Sequence, residues 1–122
     1  MKYLNKNFPF IIAEISANHN GKLNMAKKLI LSAKKNGADA VKIQSYIPSS
    51  MTINSSKKDF LIKSGLWKNQ TLWNLYEKAQ TPFEWHERIF KFAKQHKILL
   101  FSTPFDTDAV DILEKLNCPF YK

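Results

Sequence analysis

The stretch Gly37-Ala38-Asp39-Ala40-Val41-Lys42-Ile43-Gln44 constrains this chain more than any other, because it sets a lysine and a glutamine into an apolar run. A β-strand sends successive side chains to opposite faces, so Val41 and Ile43 share one side while Lys42 and Gln44 share the other. Burying an ammonium without a partner is costly. Two arrangements satisfy the lysine: it meets a carboxylate or an anionic ligand, or the strand lies at an edge and Lys42 reaches water.

The flanking sequence repeats one theme. Phe10 to Ser16 reads as a strand with Glu14 in its middle, followed by the polar turn Ala17-Asn18-His19-Asn20-Gly21. A helix from about Asn24 to Asn36 carries Ala26, Leu29, Ile30 and Ala33 as its buried stripe, with Lys27, Lys28, Lys34 and Lys35 on the other side. Gly37 is placed to close that helix. Tyr46 to Asn69 shows no clean period, which suits a lid or binding loop. A second helix is expected over Thr71 to Gln80 and a third from Thr81 to about Lys97, where Thr81, Pro82 and Glu84 spell a capping box. His86 and His96 fall on the apolar side of that third helix and read as packing residues. A strand from Ile98 to Ser102 then leads through Thr103-Pro104-Phe105 to a helix capped by Asp106, with Ala109, Ile112, Leu113 and Leu116 as its stripe. Pro119 to Lys122 looks like the opening of a further strand.

Composition narrows the classes. With 44% hydrophobic residues the 122-residue chain can bury one core, and disorder is excluded. The net charge of +9 invites a nucleic-acid reading, but Arg88 is the only arginine and the lysines are scattered, so they read as solvated helix faces. The lone cysteine, Cys118, points to a reducing, cytoplasmic setting. The run Phe8 to Ile12 is too short for a membrane span.

Strands alternating with helices form βαβ units with parallel strands, in either an open doubly wound sheet or a closed (β/α)₈ barrel. In both, ligands sit at the carboxyl ends of the strands. Glu14, Lys42, Gln44, Ser102 and Thr103 all lie there, and no Gly-rich nucleotide loop is present.

Three motifs, Ala13-Glu14-Ile15-Ser16-Ala17-Asn18-His19-Asn20-Gly21, the Lys42 strand and Phe101-Ser102-Thr103-Pro104-Phe105, together resemble the N-terminal half of the sialic acid synthase barrel. Phe60 to Lys63, Gly65 to Trp67, Leu75 to Glu77 and Thr81 to His86 are most similar to the pseudaminic acid synthase branch of that family, with the N-acetylneuraminate branch as the runner-up. The resemblance implies an α/β fold, the first part of a TIM (β/α)₈ barrel, over residues 1–122. It also implies condensation of phosphoenolpyruvate with an N-acetylated amino sugar, with a divalent metal (Mn, Mg or Co) polarising the sugar aldehyde. By the same resemblance Lys42, Thr103 and Lys122 contact phosphoenolpyruvate, Gln44 and Phe105 line the sugar side, and Glu14 is the candidate catalytic residue, orienting hydroxyls or moving a proton. Glu14 and Lys42 also fit a plain ion pair across adjacent strands, Thr103 a helix-entry residue and Phe105 a core residue.

A barrel of this class takes about 250 residues. The expectation is therefore a truncated barrel, inactive alone, whose metal histidines, later phosphate-binding serines and dimer-completing domain lie beyond Lys122. His19 reads as a loop residue near the site, with no metal ligand in this chain. A reading of another class is a non-catalytic basic α/β module that binds an anionic polymer or partner chain.

Overall fold

The computed structural model describes residues 8–122, so residues 1–7 of the expected 1–122 domain lie outside the described residues. The Lys42 stretch forms the middle strand. Strand β2 (Ala40–Ser45) is flanked by β1 (Ile12–Glu14) and β3 (Leu99–Pro104) in one parallel sheet of order β1-β2-β3. The register sets Glu14 beside Lys42, and Lys42 beside Phe101; two residues further on, Gln44 lies beside Thr103. The strand at the end of the chain begins where the pattern places it. Tyr121 bridges Ser102 in parallel, and the Lys122 N–H donates to the Ser102 carbonyl at 3.2 Å.

Helices supply the crossovers: α1 (Leu23–Lys35), the short α2 (Pro48–Met51), α3 (Leu72–Ala79), α4 (Phe83–Gln95) and α5 (Thr107–Lys115). Ala26 and Ile30 of α1 and Ile89 and Ala93 of α4 pack against Val41, Ile43 and Leu100, so the main core lies between one face of the sheet and these two helices. Thr71 caps α3 by accepting from the Asn74 N–H at 3.1 Å, and Asp106 caps α5 through the Ala109 N–H at 2.7 Å. The unperiodic stretch is held by a short antiparallel contact. Leu61 bridges Thr71, and Ile62 exchanges backbone bonds with Asn69 and Gln70.

Two local expectations change. The capping box is not made: Pro82 is the N-cap of α4, and the buried Thr81 hydroxyl instead faces His19 Nε2 at 3.4 Å. His19 Nδ1 accepts from the Gly21 N–H, which leaves Nε2–H to donate to Thr81. Nor do all four lysines of α1 stand free on its outer face. Lys27 stacks over the Phe92 ring and Lys34 donates to the His96 carbonyl, so both tie α1 to α4. Among the described residues no helix is long and apolar enough to cross a membrane.

Candidate functional site

The sheet's two faces divide the chemistry. Val41 and Ile43 point into the helix-covered core, which turns Lys42 and Gln44 to the other face. There Glu14, Lys42 and Lys122 line a cleft of about 460 Å³ with Ile12, Phe101, Phe120 and Tyr121. Lys42 is only 8% exposed. Its ammonium contacts the Glu14 carboxylate and lies 3.5 Å from Thr103 Oγ1, so both the ion pair and the route to a ligand are present in one side chain. Burial, then the facing Lys122 charge, pulls the Lys42 ammonium below the usual lysine value, while the Glu14 carboxylate favours the charged form.

The Lys122 ammonium makes no ion pair among the described residues. Two cations, one hydroxyl and a carboxylate therefore meet over an apolar floor. An anion between Lys42 and Lys122 would replace their repulsion with charge-assisted hydrogen bonds.

The remaining expected residues sit around this centre. Thr103 joins it through Lys42, and Gln44 adjoins Thr103 in register. Phe105 is not in the cleft wall. Its ring stands edge-on to Tyr46 at 5.6 Å, and Tyr46 is edge-on to Tyr76 in turn, which makes an aromatic cluster beyond the strand ends. Sequence reasoning missed the floor: Phe101 and Phe120 stack at 4.3 Å, and the Tyr121 hydroxyl donates to Glu114. Period-two alternation along β3 could have found Phe101, which shares the Thr103 side. Among the described residues no three His, Cys, Asp or Glu side chains converge to hold a metal ion.

A family model described as the NeuB family matches residues 29–122. The chain belongs to the NeuB family. This NeuB-family chain is 55% identical over 113 residues to a pseudaminic acid synthase of Campylobacter jejuni subsp. jejuni serotype O:2, covering 93% of this chain and 33% of that protein. It is 49% identical to the pseudaminic acid synthase of Helicobacter pylori, covering 93% and 34%. Among solved structures, the N-acetylneuraminic acid (sialic acid) synthetase of Leptospira borgpetersenii serovar Hardjo-bovis, in complex with citrate, superposes with a TM-score of 0.74 at 27% identity. That match covers 94% of this chain and 35% of the other. The chain thus spans about a third of the length of the relatives it matches, and its three parallel strands with their helices are part of a sialic acid synthase type of TIM barrel.

Proposed function

We propose that this chain is the phosphoenolpyruvate-binding part of a pseudaminic acid synthase, a cytoplasmic transferase that condenses phosphoenolpyruvate with a trideoxy diacetamido altrose sugar. The observation that carries the reading is the pair Lys42 and Lys122 lining one cleft, with the Thr103 hydroxyl 3.5 Å from the Lys42 ammonium, in a chain 55% identical to a pseudaminic acid synthase. On this reading Lys42 and Lys122 neutralise the phosphate and carboxylate, and Thr103 donates a hydrogen bond. C3 of phosphoenolpyruvate attacks the sugar aldehyde carbon, water adds at C2, and phosphate leaves with cleavage of its C–O bond. The two ammonium groups hold the charge that accumulates on the departing phosphate. Glu14, held by Lys42 through one carboxylate oxygen and by the Ser16 N–H and hydroxyl through the other, orients sugar hydroxyls or carries a proton, while Gln44 and Phe105 face the sugar. The divalent metal, with the homodimer that completes the site, belongs to parts of the protein outside the described residues.

The basic-module reading loses support from the lysines themselves, because Lys27 and Lys34 are spent on contacts between α1 and α4. The experiment is phosphate release from phosphoenolpyruvate by the polypeptide carrying this chain at its full natural length, with a divalent metal and either the altrose derivative or N-acetylmannosamine. Release with the altrose derivative alone is expected. Release with N-acetylmannosamine alone would move the chain to the N-acetylneuraminate branch, and release with neither would remove the synthase reading.

A further inference from the structure

Behind the cleft, on the helix-covered face of the sheet, Ser45, Ser102 and His86 are each fully buried. Ser45 Oγ lies 2.6 Å from His86 Nε2 and 2.6 Å from Ser102 Oγ, and Ser102 Oγ is 3.1 Å from the Ile43 carbonyl. His86 Nδ1 lies 3.1 Å from the Pro82 carbonyl, which can only accept, so Nδ1 carries the proton and Nε2 accepts from Ser45. With the Ser45 proton directed at His86, Ser102 donates to Ser45 across the shorter contact, and the Ile43 carbonyl shares that one proton. Burial lowers the His86 pKa and keeps the ring neutral, as this pattern requires. Every member of the chain is satisfied.

Its position gives it a second consequence. The Ser45 carbonyl accepts the Phe105 N–H at 3.1 Å, and the Ser102 carbonyl accepts the Lys122 N–H at 3.2 Å. Ser45 follows Gln44 directly, and Ser102 precedes Thr103. Gln44, Thr103, Phe105 and Lys122 are therefore each one covalent or hydrogen-bonded step from one of the two serines. Along the same face β2 carries Val41 and Ile43 and β3 carries Leu100, so apolar residues would fill this layer as readily. A satisfied polar network adds direction, because hydrogen bonds fix angle and register where apolar contacts do not.

We infer that His86, Ser45 and Ser102 are positioning residues, a buried brace between α4, β2 and β3 that fixes Gln44, Thr103, Phe105 and Lys122 in the geometry the cleft needs. The inference rests on the synthase reading for what that geometry serves. Displacements of about 1 Å at reacting groups can cost on the order of a hundredfold in rate, so a brace outside the cleft has measurable reach.

The test uses the full natural-length polypeptide with three variants: His86→Leu, Ser45→Ala and His86→Gln. Ser45→Ala and His86→Leu should lower kcat/KM for phosphoenolpyruvate about tenfold or more, with the rise in KM exceeding the fall in kcat. His86→Gln, whose side-chain carbonyl accepts from Ser45, should recover most of the loss. Amide NMR shifts in Ser45→Ala should move most at Gln44, Thr103, Phe105 and Lys122. Should His86→Leu fail to fold, Ser45→Ala, which deletes one oxygen, carries the test. A folded Ser45→Ala protein with the parent's kcat/KM and unmoved shifts at those four residues overturns the brace. If the parent protein releases no phosphate, the synthase reading has failed and the shift pattern decides. Changes centred on the four residues uphold the brace, and changes confined to α4 overturn it.

Discussion

Lys42 sits between opposing demands. Its ammonium is buried, touches Glu14, and feels a second cation at Lys122 with no carboxylate of its own among the described residues. A bound anion relieves that conflict, and this fixes the sign of a pH effect. Burial and Lys122 lower the Lys42 pKa in the free protein, and an anion raises it again. Binding then favours the protonated lysine, and affinity falls as pH rises through the free-protein value. In the full-length protein KM for phosphoenolpyruvate should climb on the alkaline side. Lys42→Met keeps the volume and removes the charge. A hydrogen-bonded charge contributes about 1.5–3 kcal/mol, so the variant should lose roughly 10- to 100-fold in kcat/KM and its alkaline limb should flatten. Stability should change by less than about 1 kcal/mol, because the half-exposed Glu14 left behind can turn to water. Steady-state kinetics against pH, paired with denaturant unfolding, separate these effects. A Lys42→Met protein with the parent's KM and pH profile would remove Lys42 from the anion site.

Each long crossover helix hands the chain back to the sheet by the same device. After α1, Gly37 N–H donates to Lys34 and Ala38 N–H to Ala33; after α4, Lys97 donates to Lys94 and Ile98 to Ala93; after α5, Asn117 donates to Glu114 and Cys118 to Leu113. The residue at the turn has φ of 88° at Gly37 and 52° at Lys97 and Asn117, the left-handed conformation of a Schellman cap. Glycine adopts it freely, asparagine at modest cost, and lysine pays about 1–2 kcal/mol for its Cβ. Lys97→Gly should therefore raise unfolding free energy by about 0.5–1 kcal/mol, after the extra entropy of glycine in the unfolded chain is subtracted. Gly37→Ala should lower it by about 1 kcal/mol, although its Cβ would meet no atom within 4 Å. Urea midpoints with an unchanged slope would check both, and a destabilised Lys97→Gly would mean that the lysine side chain has a compensating contact. These elements were legible because they are local: the stripes of α1 and α5 and the cap Asp106 are written within one or two turns of sequence. Thr81 misled because its partner is His19, sixty-two positions away. Lys27 and Lys34 misled for the same reason, since α4 takes them up. In the site, Lys42 was readable from strand alternation and Glu14 and Thr103 from their places at strand ends, and the Ser45–His86 tie was not, because a serine on an apolar strand face names no partner.

At the scale of the whole molecule the sheet has an unbalanced edge. Among the described residues β1 pairs only with β2, and beside it Phe8, Ile11 and Ile12 are 78%, 52% and 45% exposed. A parallel strand of this class is ordinarily paired on both sides and covered on both faces. The cleft face shows the same imbalance, since Ile12 lies with Phe101, Phe120 and Tyr121 around buried charge and not against a second layer of side chains. An open strand edge next to exposed apolar side chains is a template for pairing with another copy. Produced as the isolated 122-residue polypeptide, the chain should self-associate, with a weight-average mass that rises with concentration in sedimentation experiments. Ile12→Lys puts a charge on that edge and should shift the distribution toward monomer without changing the helices, which pack on the opposite face. The full-length relatives are about three times as long as the matched segment, so the same substitution in a full-length protein should behave differently. There, if the remaining strands cover Ile12, it should bury a lysine beside Lys42 and Lys122, destabilising the fold and weakening the anion site together. A concentration-independent monomer of the isolated chain, with cooperative unfolding, would show that the three strands and their helices are self-sufficient and that the β1 edge needs no cover.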